Sequence, residues 1–108
     1  MGIVKHLQEE FDYEIVDEFL DHYEVMIQMM ENAIMALSSV ERYKDEVEEL
    51  FRIFHNLKSA SGFLHLDSMH KLSALVEQIL EELRTRHEPA PQSTIDWLLA
   101  VSDQYAQW

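Results

Sequence analysis

An all-α fold, an up-down-up-down antiparallel four-helix bundle with a short N-terminal capping helix, is what this sequence predicts, on three observations. The 108 residues include only two Gly and two Pro, so few points interrupt a helix. Apolar residues recur at steps of three and four, the spacing that lines one face of an α-helix. No segment alternates apolar and polar residues as a half-buried strand does, and no internal repeat or low-complexity tract is present.

A short opening helix is expected from about Ile3 to Glu10. Asp12 can then cap a long helix reaching about Leu37, whose inward face is Ile15, Phe19, Met26, Met30, Ala33 and Leu37, widened by Val16, Leu20, Tyr23, Ile27 and Ile34. Ser38 to Lys44 reads as a turn, with capping-box spacing at both Ser38/Glu41 and Asp45/Glu48, so the next helix begins in that window. It carries Val47, Leu50, Phe51, Phe54, Leu57, Ser61 and Leu64 on one stripe and runs on toward Asp67, a candidate cap for the helix after it. In that one, Leu72, Leu75, Val76, Ile79, Leu80 and Leu83 fit the helical template most cleanly. Arg84, Arg86 and His87 place positive charge where a helix C-terminus favours it. Glu88-Pro89-Ala90-Pro91 ends it, and Ser93 opens a last helix with Ile95, Leu98, Leu99, Ser102 and Tyr105 inward. Short turns make successive helices antiparallel, which closes the bundle.

The length suits one domain, residues 1–108, able to bury a core without staples. With no Cys, disulfides, thiolate nucleophiles and thiolate metal sites are excluded, and a reducing compartment, the cytoplasm, is the expected setting. Charged or amide side chains interrupt every apolar stretch before the roughly 20 residues that span a bilayer. The N-terminal residues do not form a secretory signal, and His6 stands where a myristoylation motif has Ser or Thr. A formal charge of −13 repels nucleic acid and anionic headgroups, so neither is an expected partner. The acidic residues themselves read as solvated outer helix faces.

The chemistry-bearing segment is Phe51-Arg-Ile-Phe-His55-Asn-Leu-Lys58-Ser59-Ala-Ser-Gly62-Phe-Leu64. At about 100° per residue, His55, Lys58, Ser59 and Gly62 form one strip along the helix, separate from the apolar stripe. The strip offers an imidazole at the bundle's edge, an ammonium one turn away and two positions too small to obstruct a partner. Gly inside a helix costs about 1 kcal/mol relative to Ala, so Gly62 needs a reason: a packing point or bend near the helix end, or clearance for something docking over His55. A neutral imidazole is a nucleophile through one nitrogen while the other holds the proton, and Lys58 can offset charge on a phosphoryl group. If the turn between the two helices centres near Leu66, His55 and Glu77 lie at the same height. Glu77 is then a candidate to accept Nδ1–H and free Nε2 for attack; an ordinary solvated Glu is the alternative, since height does not give helix rotation.

The run His55-Asn-Leu-Lys58-Ser59-Ala-Ser61 with Leu64, and the run Leu72…Leu75-Val-Glu77, resemble the histidine-containing phosphotransfer (HPt) family, which includes the phosphotransfer domain of chemotaxis kinases. The usual pattern is His-x-Leu-Lys-Gly, a small-residue stretch, and a Glu or Gln twenty-two residues after the His, where Glu77 stands. The resemblance covers most of the chain, including the long acidic helix ahead of the His. It implies a four-helix bundle, phosphorylation of His55 at Nε2, an electrostatic role for Lys58 and a hydrogen bond between His55 and Glu77, the carboxylate accepting. Ser59 departs from the usual Gly, His65 stands where a second Gly is common, and Ala74 occupies the place of a second active-site His in chemotaxis kinases. A general relay module therefore fits better than that subfamily.

The expected function is that of a phosphoryl carrier, probed by receiver domains of response regulators or hybrid sensor histidine kinases. His55 accepts the group from a receiver aspartate, or from a histidine kinase, and passes it on. Without a Gly-rich phosphate loop there is no expected kinase activity or cofactor; Mg²⁺ belongs to the partner receiver. Ser59, Gly62 and Phe51, with Phe11 and Ile15 beyond, are the candidate docking residues of a monomer; for each of the three apolar residues taken singly, core packing is the better reading. Two alternatives remain at this stage: a helical interaction bundle without phosphotransfer, and a metal-binding bundle. The second has only Asp67-x-x-His70 in place of paired Glu-x-x-His motifs. His6, His22, His65, His70 and His87 are read as surface or helix-end residues without a role.

Overall fold

The computed structural model describes residues 7–86 and 89–108. Residues 7–10 are helical, and four longer helices follow: α1 (Tyr13–Met35), α2 (Tyr43–Phe63), α3 (Asp67–Arg84) and α4 (Gln92–Gln107), with a 3₁₀ turn at Ala36–Ser38 between α1 and α2. Successive helices pack as an all-α four-helix bundle, α1 against α2 and α4, and α2 most extensively against α3. The result is a rod of 45 × 20 × 19 Å. Among the described residues no helix is long and apolar enough to cross a membrane. The Ile3–Lys5 part of the expected opening helix, and His6 and His87, lie outside the described residues.

The core is continuous along the rod. Val16, Tyr23, Met30 and Leu37 from α1 and its 3₁₀ extension meet Val47, Leu50, Phe54 and Leu57 of α2, Met69, Val76, Leu80 and Leu83 of α3, and Ile95, Leu98, Val101 and Tyr105 of α4. Leu7 is fully buried, so the helical turn at 7–10 does seal the bundle. Buried hydroxyls are paired rather than stranded: Tyr23 donates to the Tyr105 carbonyl at 2.5 Å, Tyr43 donates to the Leu83 carbonyl at 2.8 Å, and Ser73 pairs with the Tyr105 hydroxyl. Burial pushes the Tyr105 phenol up to about 12 and raises Tyr23 as well, so both keep their protons.

Several expected details are corrected. The long helix ends at Met35 rather than Leu37 and tightens there into the 3₁₀ turn. Asp12 does occupy the N-cap position, but its side chain makes no capping bond; its carbonyl accepts Val16 N–H, the first bond of the helix itself. Neither capping box forms. Arg42 is the N-cap of α2, and Ser39 supplies the acceptors, its hydroxyl for Arg42 N–H and its carbonyl for Tyr43 N–H. Leu66, not Asp67, caps α3, leaving Asp67 as the acidic residue of its first turn, which suits the helix dipole. Pro91, not Ser93, caps α4.

The edge of the buried stripe also differs on all four helices. Ile15 is 39 % exposed while Val16 is buried, and Leu75 is 47 % exposed while Ser73 is fully buried. On α2, Ile53 joins the core and Phe51 lies at its border; on α4, Val101 is buried and Leu99 only partly so. A period of 3.6 fixes the width of an apolar stripe, but the packing partner decides which edge of it sinks. Ser73 can sink because the Tyr105 hydroxyl awaits it.

Candidate functional site

α2 and α3 form an antiparallel hairpin whose turn is built by a left-handed residue. Leu66 N–H donates to the Ser61 carbonyl at 2.8 Å and His65 N–H to the Gly62 carbonyl at 3.4 Å, while His65 takes φ 59°. These bonds are the Schellman arrangement that closes a helix C-terminus. Leu66 is consequently the centre of symmetry of the hairpin. Glu48 and Arg84, each eighteen residues from it, pair across the hairpin at 2.8 Å, and His55 and Glu77, each eleven away, meet as well.

What spacing could not give, rotation, proves favourable. Glu77 Oε1 lies 3.3 Å from His55 Nδ1, and Glu77 Oε2 lies 2.8 Å from Lys58 Nζ. One carboxylate thus spans imidazole and ammonium. The His55 side chain is 54 % exposed, against 16 % for Glu77, so the ring is wet on its far edge while its anchor is sheltered. Lys58's ammonium, by its hydrogen bond and charge, and then His55 hold the Glu77 carboxyl below the usual carboxylate range against the opposing effect of burial. Accepting Nδ1–H leaves the Nε2 lone pair directed away from the anchor.

His55 is braced on another side by Phe51, one turn earlier on α2. The two rings are near parallel, with centroids 6.4 Å apart and an interplanar angle of 8°. The Arg84 guanidinium lies 4.4 Å from the Phe51 centroid and is itself held by Glu48 and Glu81. Phe51, an expected docking residue, is therefore also part of a column of stacked side chains beside the imidazole. Ser59 and Gly62 are exposed, as the strip predicts. Phe11 is only partly buried, against Phe63 and His65, with centroids 6.3 and 6.1 Å away.

The structure adds Phe63, for which no role was expected, and corrects His70, expected to be a surface or helix-end residue without a role. Phe63 is 68 % exposed and lines a shallow apolar groove with Ile15, Phe19, Ala60 and Leu64. Its position eight residues after His55, about 80° round the helix, could have flagged it as sharing the exposed side. His70 Nδ1–H donates to the Lys58 carbonyl at 2.9 Å. Its spacing of seven before Glu77 puts both on one face of α3. His22 is exposed, and His65 sits at the hairpin turn. Among the described residues, no group of three or more His, Asp or Glu side chains converges as a metal site would require.

Comparison with known proteins places the chain in a family. The Hpt domain family matches residues 14–108. Two curated relatives, each named chemotaxis protein CheA, come from Treponema pallidum (strain Nichols) and Borreliella burgdorferi (strain ATCC 35210 / DSM 4680 / CIP 102532 / B31). They are 23 % and 24 % identical to the chain over 90 residues, which is 83 % of this chain and 11 % and 10 % of theirs. The chain thus spans about a tenth of the length of the curated relatives it matches. No solved structure matches it.

Proposed function

The chain belongs to the Hpt domain family, the histidine phosphotransfer domains of two-component signalling, and on that premise we propose that His55 is its phosphoryl acceptor. Lys58 is assigned the phosphate electrostatics and Glu77 the orientation of the ring. The observation that carries this reading is the single carboxylate that holds Nδ1 of an exposed imidazole and the neighbouring ammonium together.

The proposed donor is an aspartyl phosphate on a receiver domain brought against the strip. The Nε2 lone pair of His55 forms a bond to phosphorus, the bond from phosphorus to the aspartyl oxygen breaks, and the leaving carboxylate keeps its electron pair. The Nδ1 proton stays in place. The ring gains positive charge facing Glu77, a carboxylate already positioned for it. In the onward step a carboxylate oxygen of a second receiver attacks the phosphorus, and the nitrogen–phosphorus pair returns to Nε2. Phosphoryl transfer of this kind depends mainly on alignment and charge neutralisation; Mg²⁺ is assigned to the receiver, not to this chain.

Exposed Ser59 and Gly62 support close approach of a partner, with Phe51, Phe11 and Ile15 at the margins of the docking face. In this reading the domain is a monomeric cytoplasmic carrier without kinase activity of its own. A second reading, in which the group enters from a histidine kinase in a chemotaxis pathway, is favoured by the names of the two relatives and disfavoured by Ala74.

Incubation with a phosphorylated receiver tests the proposal. The wild-type protein is expected to take up the label, and His55→Gln to lose all of it with unchanged helical content by circular dichroism. Label retained by that variant would assign the acceptor elsewhere, and no label on the wild type would leave an interaction bundle.

A further inference from the structure

α3 grips Lys58 at both ends. The backbone carbonyl of a helical residue points toward the helix C-terminus, whereas its side chain leans toward the N-terminus. On α2 the Lys58 carbonyl therefore faces the hairpin turn and the Lys58 ammonium faces back toward His55. Because α3 runs antiparallel, its early residue His70 meets the carbonyl and its later residue Glu77 meets the ammonium, at 2.9 and 2.8 Å. His70 and Glu77 are seven residues apart, about two turns, so they lie within about 20° of one another on one face of α3.

Gly62 makes the first of these contacts possible. A Cβ at this position would stand 3.2 Å from both Cε1 and Nδ1 of His70, tighter than an ordinary contact. The bare Cα lets the imidazole lie close enough to reach Lys58 O. The helix-weakening Gly is thus explained, at least in part, by the ring packed on it.

We propose that His70 is a positioning residue: its Nδ1–H bond to the Lys58 carbonyl, made across Gly62, sets the local register of α3 on α2 and so delivers the Glu77 carboxylate to Lys58 and His55. The importance of that delivery for phosphotransfer rests on the reading of His55 as acceptor; the clasp itself does not. Tyr43 to the Leu83 carbonyl and Arg84 to Glu48 tie the opposite end of the hairpin, so loss of His70 leaves the bundle folded and loosens only the segment that carries the site.

The test compares His70→Leu with His70→Asn, side chains of similar size of which only Asn can donate where Nδ1 does. The primary readout is the His55 tautomer, from nitrogen-15 NMR of its ring in the otherwise intact protein. Wild type and His70→Asn are expected to hold the proton on Nδ1, while His70→Leu shifts the population toward the Nε2–H form and slows phosphoryl uptake severalfold. Gly62→Ala, which presses on the ring from α2, should shift the tautomer in the same direction and guards against a folding defect in the Leu variant. A His55 tautomer ratio unchanged in both His70→Leu and Gly62→Ala would overturn the proposal. A shift that follows His70 in a protein that accepts no phosphoryl group would support the clasp and sink the carrier reading alone.

Discussion

A carboxylate with one oxygen on an imidazole N–H and the other on an ammonium has little freedom to rotate, and this constraint fixes the His55 ring. Replacing Glu77 by Gln keeps an acceptor for Nδ1–H but removes the charge. A charge-assisted hydrogen bond exceeds a neutral one by about 1 kcal/mol, so phosphoryl uptake is expected to slow by about fivefold, measured as the initial rate of labelling by a phosphorylated receiver. The same residue predicts a pH dependence. Its carboxyl is held below the usual range in the folded protein, so the unfolded chain takes up the proton first as pH falls. The stabilisation is therefore complete above the ordinary carboxylate range and is lost as pH falls through the lower, folded-state value. Urea unfolding of wild type and Glu77→Gln should show a stability gap at pH 6 that closes toward acid; a gap independent of pH would contradict the assignment.

At the scale of elements, the hairpin turn carries the clearest removable cost. His65 holds φ 59°, a conformation that suits Gly far better than a side chain with Cβ. His65→Gly is expected to stabilise the protein by roughly 0.5–1 kcal/mol, net of the lost ring contact with Phe11 and the greater freedom of the unfolded chain, read as a higher denaturant midpoint at unchanged slope. The position had announced itself in the sequence, since His65 stands where the family commonly places Gly. Helices and their order were equally legible, because i, i+3, i+4 spacing survives any choice of partner. Caps were not: Asp12, Asp67, Ser93 and the two capping boxes had the right residue types, yet Asp12 makes no side-chain cap and the backbone carbonyls of Ser39 and Pro91 took first-turn N–H groups of their helices. Rotation was not legible either. The exposure of Ile15 and the burial of Ser73 follow from which helix lies opposite, as the Tyr105 hydroxyl does for Ser73. For the site, spacing placed His55 and Glu77 at one height, and only packing turned them to face each other.

Over the whole molecule the dominant property is charge. A formal −13 on 108 residues repels itself in the compact state more than in the expanded chain, and exposed charges are screened over about 10 Å at 0.1 M salt. The melting temperature is therefore expected to rise by a few degrees between 0.02 and about 0.3 M sodium chloride; a fall would mean that cross-helix pairs such as Arg84–Glu48 outweigh the repulsion. Within that acidic field Glu77 holds the Lys58 ammonium beside the His55 imidazole. The proposed phosphotransfer requires the His55 imidazole to accept phosphorus through Nε2. Phosphorylated, nitrogen-15-labelled protein measured by phosphorus–nitrogen coupling tests this directly: the coupling should appear at Nε2 of His55, with Nδ1 still carrying its proton, whereas phosphorus on Nδ1, or on any other residue, would contradict it.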